Sequence, residues 1–257
     1  MRLAECSAVS PTRGPHTVNP VQALIPAVAG VSLFAPATLH ATSSQTRTEQ
    51  PVVQQENAVG ADSAVSADDL LAEVRDCTPA SHGNYRSDQD ARATIPVCGT
   101  RDVVFWEADM DIDCDGQPGV RCNTRTDPHF SATTAFTQSD GRPLKSETLP
   151  FVVVPAPSTL WDYRAHGVRG GSVVAVVYRD RVQYAVVGDT GPAGIIGEAS
   201  YATAEALGID PDPQGGGTSS GVTYIVFRDS RVTPVEDRRA AVTTGEKLAR
   251  QFVNGDQ

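Results

Sequence analysis

Basic residues are scarce in this chain. Lys and Arg number 21 against 31 Asp and Glu, a formal net charge of −10 over 257 residues. Neutralising nucleic-acid phosphates needs the opposite balance, which argues against a nucleic-acid partner. A cationic ligand is permitted, because acidic clefts concentrate positive charge. Long unbroken apolar runs are missing too. The one mostly apolar stretch, residues 21–39, contains Pro26 and Pro36 and few large apolar side chains, so no membrane anchor is expected. No Cys-x-x-Cys pair occurs and the five histidines show no metal spacing, so neither a metal nor a cofactor is expected. Ser, His and Asp residues are scattered along the chain and do not by themselves support a serine nucleophile. Without any internal repeat, the chain reads as a monomer of one large or two small domains.

The N-terminal part carries a different signal. Arg2 and Arg13 precede the run at 21–39, which ends in Leu39-His40-Ala41, so residues 1–41 read as a cleavable leader. Residues 42–65, rich in Ser, Thr, Gln, Glu and Val and without aromatics, read as a disordered linker, leaving 66–257 as the folded domain. Cys6 departs with the leader. Cys77, Cys98, Cys114 and Cys122 remain, an even set that allows three pairings, most simply Cys77–Cys98 and Cys114–Cys122. Disulfides and a secreted, extracellular location support each other.

Strand signals dominate the folded part. Short apolar runs at 103–106, 133–137, 151–154, 173–178, 182–187 and 223–227 predict six strands, the second closed by Asp140-Gly141 as a turn. Ser66 predicts the cap of a short helix. Ser200 and Gly208 bracket a second at 200–207, and 236–252 reads as a third, weakened by Gly245. Residues 210–220 read as a surface loop. The expected architecture is mainly β, a small six-stranded barrel with short helical additions.

Two acidic stretches point to chemistry. Gly188-Asp189-Thr190-Gly191-Pro192 is followed by Glu198, two carboxylates on glycine-punctuated backbone between apolar runs. Such a pair can do general acid and base work. In Glu107-Ala-Asp-Met-Asp-Ile-Asp-Cys-Asp-Gly116 the acids alternate, so on a strand Asp109, Asp111, Asp113 and Asp115 share one face and repel. The row needs a cation, solvent or a positive ligand. It begins like a calcium loop, but the bidentate Glu expected six residues after the glycine is Cys122. Asp115 reads as solvated. Trp106, Trp161 and Tyr163 are candidate sugar-stacking rings.

Phe105-Trp-Glu-Ala-Asp-Met-Asp-Ile-Asp-Cys-Asp-Gly116, Phe151-Val-Val-Val-Pro155, Val173-Val-Ala-Val-Val-Tyr178 and Gly188-Asp-Thr-Gly-Pro-Ala-Gly-Ile-Ile-Gly-Glu-Ala-Ser-Tyr201 together resemble the chitosanases of glycoside hydrolase family 75. The resemblance runs in order over about residues 77–253. It implies a secreted, inverting endo-hydrolase of β-1,4-linked glucosamine chains, with Asp189 and Glu198 as the acidic pair. On that reading Asp189 protonates the leaving oxygen and Glu198 activates water, with Asp109 or Asp111 in reserve. Glu107, Asp109, Asp111 and Asp113 bind the ammonium groups of chitosan, and Trp106 and Tyr163 stack on its rings. A second resemblance, of residues 188–209 to rare lipoprotein A, implies the double-psi β-barrel shared with expansins. A non-catalytic carbohydrate-binding barrel and a peptidoglycan lytic transglycosylase are the alternatives, and Glu198 with the acidic row argues against both.

Overall fold

The computed structural model describes residues 64–255. The expected leader, Cys6 and the linker up to residue 63 lie outside the described residues. The described part is mainly β, with strands β1 (Pro79–Tyr85), β2 (Ile95–Gly99), β3 (Val103–Asp113), β4 (Phe151–Pro155), β5 (Val173–Tyr178), β6 (Arg181–Gly191), β7 (Glu198–Ser200) and β8 (Thr218–Phe227). Its helices are α1 (Ala67–Glu73), α2 (Tyr201–Leu207) and α3 (Arg238–Asn254).

Six strands close on themselves in the order β3-β7-β4-β6-β5-β8, with β8 returning to pair with β3. Two neighbours, β3–β7 and β4–β6, run parallel, and the other barrel pairs are antiparallel. β1 and β2 pair antiparallel to each other, and β2 continues onto β3. Closure removes the exposed edges that an open sheet of this size would have to protect.

Alternation along each strand divides the apolar residues into two packed sets. On β3, Val104, Trp106, Ala108 and Met110 join the barrel interior with Val174, Val176, Val187 and Tyr224. Val103 and Phe105 face outward and pack with Leu70 of α1 and Ala241 and Ala249 of α3. Gly245, a helix-weakening residue by propensity, has its reason here. A Cβ at this position would sit 2.4 Å from the Tyr184 ring. The glycine lets α3 lie directly on β6.

Five of the six expected strands belong to the barrel. The segment 133–137 does not. It is a loop, touching strand geometry only at the isolated bridge Thr137↔Pro143. The sixth barrel strand is β7, three residues long and too short to leave a periodic signal. β8 also starts earlier than expected, inside the stretch read as a loop. The caps behave as the sequence suggests. Ser66 Oγ accepts from the Asp69 N–H, Ser200 Oγ from the Thr203 N–H, and Gly208 ends α2 in the left-handed region.

Candidate active site

One irregularity decides where Asp189 points. Val152 pairs with Val187, but the next residue, Val153, pairs with Asp189, so Gly188 is a bulge in β6. Up to that point odd-numbered residues of β6, Ala185 and Val187, face the barrel interior. A one-residue slip reverses the faces. Asp189 therefore emerges beside Val153 on the outside, where unbroken alternation would have buried it among the valines. Glycine is needed at the bulge because a Cβ there would lie 2.5 Å from the Phe151 Cβ.

The neighbouring strands bring Glu198 into line. Asp111 pairs with Glu198, and Val152 with Ala199, which sets Val153 opposite Glu198 one residue on. Asp111, Glu198, Val153 and Asp189 thus form one row across β3, β7, β4 and β6. Glu198 and Asp189 stand two strands apart, roughly 9–10 Å between their Cα positions at the usual strand spacing. Both line a cleft of about 360 Å³ together with Asp113, Asp115, Asp127 and His129.

The two carboxylates have different surroundings. Asp189 is 7 % exposed, and its Oδ1 accepts from the N–H groups of Ala135 and Thr190, each at 2.7 Å. Burial raises its pKa, and these two hydrogen bonds pull the other way by favouring the ionised form. Among the described residues Glu198 has no such donors. Burial, followed by repulsion from Asp111, Asp115 and Asp189, pushes its carboxyl up to about 7. The loop at 133–137 thus has a task that a strand would not perform, delivering the Ala135 N–H to Asp189.

Asp113 and Asp115 complete the cleft. Asp113 Oδ1 accepts from the Asp115 N–H at 2.6 Å, and Asp115 Oδ1 accepts from the Ser131 N–H at 2.7 Å. Burial raises the pKa of both, of Asp113 strongly. Asp113, Asp115 and Asp189 each offer an oxygen within 4.8 Å of the others, and Glu198 is not part of that close group. The calcium-loop pattern is not completed, because Cys122 is bonded to Cys114. That disulfide, with Glu147 Oε1 accepting from the N–H of Cys122 at 2.8 Å, anchors the loop after β3. The other bond joins Cys77 to Cys98.

The row on β3 keeps to one face, but its members differ. Glu107 and Asp111 are exposed, Asp113 is half-buried, and Asp109 is only 6 % exposed. Asp109 lies over Gly197, where a Cβ would meet its Oδ1 at 2.1 Å. None of the four ion pairs among the described residues involves an acid of the row or the cleft.

The expected stacking rings are corrected. Trp106 is 1 % exposed and Tyr163 7 %. Trp106 lies parallel to Tyr224 at 5.3 Å inside the barrel, and Trp161 contacts both Trp106 and Tyr163 edge-on. No ring face is left for a sugar, because this small barrel needs these side chains to fill it. Asp127, His129 and the Ala135 N–H were not expected at the site. Asp115, the last member of the alternating row, lines the cleft with them.

The sequence model described as "Fungal chitosanase of glycosyl hydrolase group 75" matches residues 110–253. Among curated proteins, "Endo-chitosanase C" of Aspergillus oryzae is 31% identical over 135 residues, 49% of this chain and 32% of that protein. "Endo-chitosanase" of Aspergillus oryzae (strain ATCC 42149 / RIB 40) is 31% identical over 138 residues, 49% of this chain and 56% of the relative. The match spans a third to about half the length of these relatives. With a family match covering most of the barrel and its acidic cleft, this chain belongs to the chitosanases of glycosyl hydrolase group 75.

Proposed function

We propose that this chain is a secreted endo-hydrolase of the β-1,4 linkages between glucosamine units of chitosan, acting with inversion through Glu198 and Asp189. The carrying observation is the row that sets these carboxylates on one outer face, two strands apart and in unlike environments. Inversion needs carboxyl groups roughly 6.5–9.5 Å apart, so that water fits between the base and the sugar. A row spanning two strand spacings suits that requirement.

The environments favour a role assignment opposite to the sequence expectation. Glu198, pushed up to about 7 by burial and neighbouring acids, keeps its proton at mildly acidic pH and is the proton donor to the leaving oxygen. Asp189, whose Oδ1 receives two backbone N–H groups, is better held as the anion and activates the water. Asp111, exposed and paired with Glu198 on the β3 side of the row, attracts the ammonium groups of the polymer. Two disulfides support a secreted location. No helix among the described residues is long and apolar enough to cross a membrane.

The test is reducing-end release from soluble, highly deacetylated chitosan, with chitin and carboxymethyl cellulose as controls. Wild type should release ends from chitosan alone, as products of inverted anomeric configuration. Glu198→Gln and Asp189→Asn should each lose about 10²–10⁴-fold in rate while staying folded. A folded wild type that binds chitosan and releases nothing would establish a binding barrel instead, and anhydro-sugar products from peptidoglycan would establish a transglycosylase.

A further inference from the structure

One of the two hydrogen bonds on Asp189 comes from a segment with neither strand nor helix to hold it. Ala135 donates to Asp189 Oδ1 at 2.7 Å from an irregular loop, and Ala135 itself is exposed. Ordering loop residues costs conformational entropy, so such a bond persists only where other contacts fix the backbone. We propose that Thr134, Phe136 and Glu236 are positioning residues for Asp189, fixing the loop so that the Ala135 N–H stays on its carboxylate. The inference rests on Asp189 as the base of the reading above. It adds residues outside the cleft lining that govern how well the base serves.

Each anchor works by a different contact. Thr134 Oγ1 donates to the Phe136 carbonyl at 2.6 Å and accepts from the Leu144 N–H at 2.9 Å. One hydroxyl thus spans Ala135 and ties the loop to its returning arm. Leu144 is fully buried, and its carbonyl accepts from the Gln117 N–H at 2.8 Å, so the tie ends on fixed backbone. Phe136 is half-buried against the barrel cluster and lies over Gly170. A Cβ on Gly170 would stand 2.5 Å from Phe136 Cγ, so the ring seats there only over glycine. Farther along, Glu236 holds the turn from 97 residues away. Its Oε1 and Oε2 accept from the Ser139 N–H at 3.1 Å each, and Oε1 also accepts from the Ser139 hydroxyl. The Gln138 N–H donates to the Arg142 carbonyl at 2.8 Å, and Thr137 bridges to Pro143, so the hold at Ser139 is carried back toward Ala135.

The consequence for Asp189 is electrostatic. It faces Asp113 and Asp115 at the end of β3 and just beyond, Glu198 on β7, and Asp127 and His129 across the cleft, whose lining has neither Lys nor Arg. Burial disfavours its charge, and the N–H groups of Ala135 and Thr190 favour it. The Thr190 N–H belongs to the next residue of β6 and stays wherever the loop goes. The Ala135 N–H is the adjustable one. A loosened loop withdraws it, and Asp189 then takes up its proton at a higher pH.

The experiment measures kcat/KM against pH on soluble, fully deacetylated chitosan for wild type, Thr134→Val, Thr134→Ser, Gly170→Ala and Glu236→Ala, with urea unfolding as the check on folding. Thr134→Val, which keeps shape and removes the hydroxyl, should move the acid limb up by about 0.5–1 pH unit, by weakening a hydrogen bond to a charged acceptor. Gly170→Ala should do the same by displacing the Phe136 ring, and Glu236→Ala should shift the limb less, in the same direction. Thr134→Ser, which keeps the hydroxyl, should follow wild type. KM should be nearly kept in all, since none of these residues lines the cleft. An acid limb unmoved in Thr134→Val would overturn the proposal, as would an equal loss at every pH, which is what general destabilisation gives. If wild type cleaves no chitosan, the reaction assigned to the cleft fails instead. Carbon-13 NMR titration of the Asp189 carboxyl then decides the positioning independently. A titration point raised in Thr134→Val supports it, and an unchanged one overturns it.

Discussion

Gly197 is the most constrained residue of the site, and Gly197→Ala exposes why. Its φ of +123° is one that side chains rarely adopt, and an added Cβ would stand 2.1 Å from Asp109 Oδ1 and 3.2 Å from the Ala108 Cβ. Backbone strain of this kind costs about 1–3 kcal/mol. Forcing a methyl group against a buried carboxylate and a strand costs about 1–3 kcal/mol more. A total near 4 kcal/mol lowers the melting temperature by roughly 8–16 °C for a domain of this size. Asp109→Ala alone should be nearly neutral at pH 7, since it deletes a buried carboxylate whose Oδ1 has no partner. The double variant should regain about 1–3 kcal/mol relative to Gly197→Ala, keeping only the backbone strain. Thermal and urea denaturation of the four proteins gives the coupling. Additivity within about 0.5 kcal/mol would refute the contact as the cause. Chitosan hydrolysis should fall in Gly197→Ala, because the displaced residue immediately precedes Glu198.

Stability should depend on pH in an uncommon direction. Asp109 and Glu198 are both pushed up to about 7, so the native state holds protons that the unfolded chain releases near pH 4. Their contribution is present at low pH and is lost as pH rises through about 7, by at most about 3 kcal/mol for Glu198, and Glu198→Gln should flatten the profile. The acids with lowered pKa, such as Asp69, Asp140 and Asp162, lie at the surface and oppose this only weakly. In the same way, kcat/KM on chitosan should decline above about pH 7 as Glu198 ionises, and a flat profile there would remove it as proton donor. Ser200→Ala should cost about 2 kcal/mol in urea unfolding, because the buried hydroxyl accepts from the Phe151 N–H at 3.0 Å and donates to the Leu149 carbonyl at 2.9 Å. Replacing Cys114 and Cys122 by Ala should cost about 2–3 kcal/mol for so short a loop and reduce activity beyond the stability loss, since Asp113 and Asp115 flank the bond.

The β-rich class, most strands and the helix caps were legible in the sequence, because each depends on neighbours a few residues apart. Alternating apolar residues make strands wherever they are placed, and Ser200 caps α2 through its Oγ, which accepts from the Thr203 N–H only three residues on. The motifs around Asp189 and Glu198 carried the family resemblance for the same local reason. Only the tertiary structure decided the rest. Trp106 and Tyr163 became core because closing six strands leaves an interior that large rings must fill. Residues 133–137 stayed a loop while β7, the three residues starting at Glu198, took the sixth place. Asp109 and Asp111, alike in sequence, differ because only Asp109 is covered, against Gly197. Above all, the bulge at Gly188 turns Asp189 from the interior to the cleft, and a bulge is specified by the partner strand's register and the close approach of Phe151. Alternation within a strand assigns two faces, but which face becomes the inside depends on contacts far apart in the chain.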